Sequence, residues 1–159
     1  DCLLSRGLGD VYKRQAQDTV DYHIKLTWHS IVNLYNQIAF KYNLTQATGF
    51  VLINIDKSGS PATSIAPLMG MKATSLSRIL KNMETDGLIC RKKDKSDGRL
   101  VNIFLTDHGV AKQKIAKKVV REFNDYILNN IDPSKIDCYK EVMGDILSLT
   151  EEYSNKKLS

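Results

Sequence analysis

The chain has 159 residues, 42% hydrophobic and 26% charged, with a net charge of +5 and a pI near 9.1. That length holds one domain with a sizeable core, or a compact module carried on extra helices, and argues against a multi-domain enzyme. The composition excludes a disordered chain, no apolar run approaches the roughly 18 residues of a membrane span, and the basic balance implies an anionic partner.

Residues 10–15, Asp-Val-Tyr-Lys-Arg-Gln, resemble the in-frame translation of a transposon end used in preparing DNA libraries. Residues 1–15 are therefore set aside as a non-native segment. Over residues 18–42, Ile24, Trp28, Ile31, Tyr35, Ile38 and Tyr42 recur at steps of four and three, which predicts a long helix with a narrow apolar seam. Thr45 is the expected N-cap of a second helix ending near Ile55, and residues 56–61 read as a turn. Thr63 or Ser64 would cap a short third helix ended by Gly70, with Pro67 tolerated near the helix start. A fourth helix begins at Lys72 or Thr74 and carries Leu76, Ile79, Leu80 and Met83 as its buried stripe, with Gly87 as its stop.

Residues 88–93 and 100–105 are strand candidates, and the Asp97-Gly98 between them supplies the positive φ of a tight hairpin. Thr106 would cap a long fifth helix with Val110, Ile115, Val119, Phe123, Ile127 and Ile131 on one side. Asp132-Pro133 breaks it, and a last helix over residues 134–153 repeats its apolar residues nearly every seven.

The predicted fold class is mainly α with a small β-hairpin wing: a winged helix-turn-helix over residues 45–106, flanked by long dimerisation helices over 16–44 and 107–159. Positive charge concentrates in this module: Lys72, Arg78, Lys81, Arg91, Lys92, Lys93, Lys95 and Arg99 stand against Glu84, Asp86, Asp94 and Asp97. With the apolar stripe of helix four buried, its opposite face presents Thr74, Ser75, Ser77, Arg78, Lys81 and Asn82 to a major groove. Arg78 can read guanine edges, Asn82 can pair with adenine or a phosphate, and Lys72 and Lys81 can hold the backbone. Arg99 at the wing tip suits a narrow minor groove, Lys92, Lys93 and Lys95 suit flanking phosphates, and Asp97 would orient Arg99.

Leu80-x-x-Met83-Glu84-x-x-Gly87-Leu88-Ile89-x-Arg91, then Asp94-x-x-Asp97-x-Arg99, then Leu105-Thr106-x-x-Gly109, resembles the signature of MarR-family regulators. The resemblance spans residues 18–153 and implies a transcriptional regulator, with repression as the expected sign. It further implies a homodimer on pseudo-palindromic double-stranded DNA and a small aromatic or phenolic effector bound between the dimer helices and the DNA-binding lobe. Ser77, Arg78, Asp97 and Arg99 match the family pattern, whereas Gly98 stands where a basic residue is common. Trp28, His29 and Tyr35 are candidate effector contacts, although aromatics at helical spacing more often form a core or dimer seam.

The remaining residue types point away from other chemistry. Cys2, Cys90 and Cys138 show no CxxC spacing, and His23, His29 and His108 form no i,i+4 pair, so no metal site, disulfide framework or cofactor is implied. Cys90 reads as a small buried hydrophobe. Neither a nucleophile elbow, a phosphate loop nor an acid–base pair is present, so no catalytic residue is named and an enzyme is not expected. No signal peptide or membrane segment is recognised, which predicts a cytoplasmic protein. The competing reading is a winged-helix protein-interaction module without DNA binding.

Overall fold

The computed structural model describes residues 18–93 and 100–158. Its elements are α1 (Val20–Phe40), α2 (Gln46–Ile53), β1 (Ser60–Pro61), α3 (Ala62–Leu68), α4 (Ala73–Thr85), β2 (Ile89–Lys93), β3 (Val101–Leu105), α5 (Asp107–Asn130) and α6 (Pro133–Leu158). They form two compact units, the first ending at Lys117 and the second beginning at Lys118. The N-terminal segment set aside above lies outside the described residues, as do residues 94–99 with Lys95, Asp97 and Arg99.

Three helices of the first unit end by the same device. Asn43, Gly70 and Gly87 adopt φ of 53°, 58° and 66°. The N–H of each following residue then reaches back five positions, from Leu44 to Ala39, Met71 to Ala66 and Leu88 to Met83, at 3.0, 3.2 and 2.8 Å. This is the Schellman closure, which needs a left-handed residue that glycine, and next asparagine, adopts most readily. Helix starts are sealed by hydroxyls: Thr45 accepts from the Thr48 N–H at 3.1 Å, and Thr106 from the Gly109 N–H at 3.0 Å.

Two local expectations are corrected. Helix α3 starts at Ala62 behind Pro61, and neither Thr63 nor Ser64 caps it; the Ser64 hydroxyl donates instead to the Pro61 carbonyl at 2.8 Å. Pro67 therefore lies in the last turn, where a helix this short loses a single backbone bond. Residues 60–61, read as part of a turn, form an edge strand, giving a sheet of order β1-β3-β2 with Ser60 opposite Ile103 and Ile89 opposite Leu105. A two-residue strand is too short to carry a period.

The core is a continuous cluster of Val51, Leu52, Ile55, Ile65, Ala66, Leu76, Leu80, Met83, Leu88, Ile89 and Ile103. It joins α2, α3 and α4 to the sheet. The first turns of α5 close one side, and here the expected apolar face is not the buried one. Gly109, Gln113 and Ala116 face inward, while Val110, Ile115 and Val119 are only half-buried. Close approach is the reason: a Cβ on Gly109 would lie 1.9 Å from the Leu88 carbonyl oxygen. The Thr106 hydroxyl donates to the Gly87 carbonyl at 2.6 Å across the same junction.

The second unit contains the rest of α5 and α6. Asp132 accepts from the backbone N–H and hydroxyl of Ser134, bonds that hold its carboxyl below the usual range and seal the start of α6. No described residue of this unit is buried, although it carries Tyr126, Leu128, Ile131, Tyr139, Val142, Leu147, Leu149 and Tyr153. Among the described residues, no helix is long and apolar enough to cross a membrane.

Gly109→Ala should destabilise the fold by about 2–4 kcal/mol in urea unfolding, because backbone must move to admit the methyl. Gly144→Ala, in α6 with nothing within 4 Å of the added Cβ, should instead be neutral or stabilising by about 0.5–1 kcal/mol. Equal effects at the two sites would contradict the tight junction.

Candidate nucleic-acid interface

Helix α4 is oriented by what it buries. Leu76, Leu80 and Met83, spaced i, i+4 and i+7, are each no more than 2% exposed and enter the core. Thr74, Arg78, Lys81 and Thr85 follow the same spacing on the opposite stripe, and all four are exposed. Ser75 also lies open in the first turn, and Lys72 stands at the N-cap. A solvent-facing helix with two cations and short hydroxyls is thus held rigidly from behind.

The other two expected contacts of α4 turn toward its flanks. Ser77 is exposed, but its hydroxyl donates to the Ala73 carbonyl at 2.9 Å, and the residue lines a recess of about 450 Å³ between α4 and the wing. That recess is shared with Arg91, Lys92, Lys93 and Val101. Asn82 lines a second hollow, of about 370 Å³, beside Asn43, Thr48 and Asp86. The polar face of α4 is therefore divided into a central stripe and two side pockets.

Strands β2 and β3 raise the wing beside α4. Lys92 and Lys93 are both exposed on β2, but Lys92 is restrained, its ammonium 5.1 Å from the centroid of the Phe104 ring. Phe104 in turn lies over Gly59, whose φ is +92° and where a Cβ would fall 2.4 Å from the ring. Lys95, Asp97 and Arg99, at the tip, lie outside the described residues.

One tie joins two residues that the sequence offered only in the charge tally and the family motif. Arg91 Nε stands 3.1 Å from Glu84 Oε2, linking β2 to α4, with side chains 33% and 44% exposed. A pair this wet adds little stability. Its signal in the sequence was two opposite charges at unrelated positions, which no period reveals.

The effector candidates are not gathered by the first unit. Trp28 is 50% exposed, His29 is exposed and Tyr35 is half-buried along α1, and none of the three lines either hollow. Cys90 is half-buried and Cys138 exposed. No group of three or more His, Cys, Asp or Glu suited to a metal occurs among the described residues.

Residues 44–101, from the residue before the α2 cap to the first residue of β3, match the MarR family model. The winged helix resembles that family. Over 82 residues the chain is 29% identical to the HTH-type transcriptional regulator TtmR of Methylorubrum extorquens strain PA1. The match covers 51% of this chain and 42% of that relative, so the chain spans less than half of its length.

Solved MarR-type structures share the fold. S. aureus MepR in complex with DNA superposes with a TM-score of 0.75 at 22% identity, covering 82% of this chain and 97% of that one. A mutant E. coli MarR complexed with operator DNA gives a TM-score of 0.72 at 18% identity over 80% of this chain and 93% of its own. The mainly helical architecture with a small antiparallel sheet is the winged-helix fold of those structures.

Glu84→Gln removes the partner of Arg91 and one negative charge beside the basic recess. Stability should change by less than about 1 kcal/mol, while elution from a heparin column should move to higher salt. An unchanged elution point would mean that the Arg91 side of α4 does not meet polyanions.

Proposed function

We propose that the chain is a DNA-binding transcriptional regulator of the MarR type, acting as a homodimer on pseudo-palindromic double-stranded DNA. The observation that carries this reading is the exposed stripe of Thr74, Arg78 and Lys81, backed by a dry core and flanked by a basic wing. Such a helix fits a major groove, where Arg78 can meet guanine edges and Lys81 a phosphate. Lys72, Ser75, Ser77, Asn82, Lys92, Lys93, Lys95 and Arg99 would extend the contact, with Asp97 orienting Arg99. MepR and MarR, which share the fold, are the DNA-bound relatives that support it.

Dimerisation is supported by burial. Helices α1 and α6 have no buried residue, and α1 exposes Val20, Ile24, Leu26, Trp28 and Phe40. Long amphipathic helices do not remain in water with their apolar stripes open, and a second copy offers matching stripes. In this reading the protein is a cytoplasmic repressor. A small aromatic or phenolic effector, reached by Trp28, His29 and Tyr35, would favour a spacing of the lobes that DNA does not accept and so weaken operator binding.

Fluorescence anisotropy on duplexes selected from a random library tests the reading. Affinity should fall by about 10³ or more between about 50 and 200 mM salt, and sedimentation at micromolar concentration should give a dimer. Arg78→Ala should flatten base preference by about 1–3 kcal/mol at one position of each half-site, and Lys81→Ala should weaken all sequences alike. A protein-interaction module would retain no duplex even at low salt.

A further inference from the structure

Two adjacent polar side chains of α5 have no part in the proposed interface and make the longest-range hydrogen bonds described. Gln113 is 6% exposed, and its Nε2 donates to the Leu52 carbonyl at 2.6 Å and the Ile55 carbonyl at 2.8 Å. Leu52 is in the last turn of α2 and Ile55 just beyond it, where a helix leaves carbonyls without intrahelical donors. Lys112 Nζ donates to the Tyr42 carbonyl at 2.6 Å, in the turn that ends α1. A cation suits the negative end of a helix. Neighbouring residues of one helix thus grip the C-terminal ends of α1 and α2.

An apolar side chain at position 113 would bury more easily than a carboxamide, which is tolerated inside only when its hydrogen bonds are made. What the carboxamide adds is direction. Hydrogen bonds weaken steeply when bent, whereas apolar contacts slide. The small residues on either side, Gly109 and Ala116, bring α5 close enough for the bonds to form.

We propose that Lys112 and Gln113 are positioning residues, a two-point clamp that fixes the direction in which α5 leaves the winged helix and so sets the spacing of DNA half-sites the dimer accepts. The inference rests on the dimeric DNA-binding reading above. One base pair of added spacing rotates a half-site by about 34° around the duplex, so a stiff clamp rejects shifted sites and a loose one follows them.

The full chain would be titrated against a single selected half-site and against duplexes whose two half-sites are moved by one and two base pairs. Wild type should lose about tenfold or more on a two-base-pair shift. Gln113→Met, which keeps length and loses both donors, and Lys112→Met should bind the whole series within about threefold, with half-site affinity unchanged. Lys112→Arg, which keeps a donor, should restore the wild-type profile. Methionine variants that discriminate spacing as wild type does, or that lose affinity equally for every duplex including the half-site, would overturn the clamp.

A second measurement needs no DNA. Nitroxides at the exposed positions Lys57 and Asn129, in spin-diluted protein with Cys2, Cys90 and Cys138 replaced by serine, report the direction of α5 within one chain. The distance distribution should be at least about twice as wide in Gln113→Met, as expected when a directional restraint is lost. An unchanged width would sink the clamp even if DNA binding holds. Failure of wild type to retain any duplex would instead sink the regulator reading and the spacing role with it, and the width measurement would still decide whether the clamp holds α5.

Discussion

The orientation of α4 depends on three side chains. Leu76, Leu80 and Met83 occupy one stripe of the helix and are enclosed by α2, α3 and the sheet. Burying such residues stabilises by about 1.5–3 kcal/mol each, and the helix cannot rotate without exposing them. The polar stripe is therefore aimed by the hydrophobic one. Arg91 and Glu84 link the first wing strand to the same helix, and the closures at Gly70 and Gly87 bound it at either end.

Much of this was legible in the sequence. The four-three spacing in α1, the capping threonines at 45 and 106, and the stops at Gly70 and Gly87 each reflect a local rule, and each element falls where that rule puts it. The face of α4 was readable because burying one stripe fixes the other. Ser77 and Asn82 were assigned to the same front as Arg78, yet they line the flanking hollows, because a helical stripe is narrower than half a helix.

What escaped the sequence shares a physical cause. Apolar periodicity finds surfaces that shed water, and α5 has two faces with different needs. Its half-buried aliphatic side was visible, whereas the face against the winged helix consists of Gly109, Gln113 and Ala116, which carry almost no hydrophobic signal. Close approach and hydrogen bonding to carbonyls made that contact. The two-residue strand at Ser60 was hidden for a related reason, since pairing with Ile103 is a property of β3 as much as of its own residues. Glycine at 109 was recognisable as part of a family signature long before the Leu88 carbonyl supplied its reason.

The uncovered side chains of α6 bear on the protein's lifetime in a cell. Tyr139, Val142, Leu149 and Tyr153 in contact with water are the kind of surface that chaperones and proteases recognise in unassembled subunits. Under the dimer proposed above, a solitary copy presents that surface and an assembled one covers it.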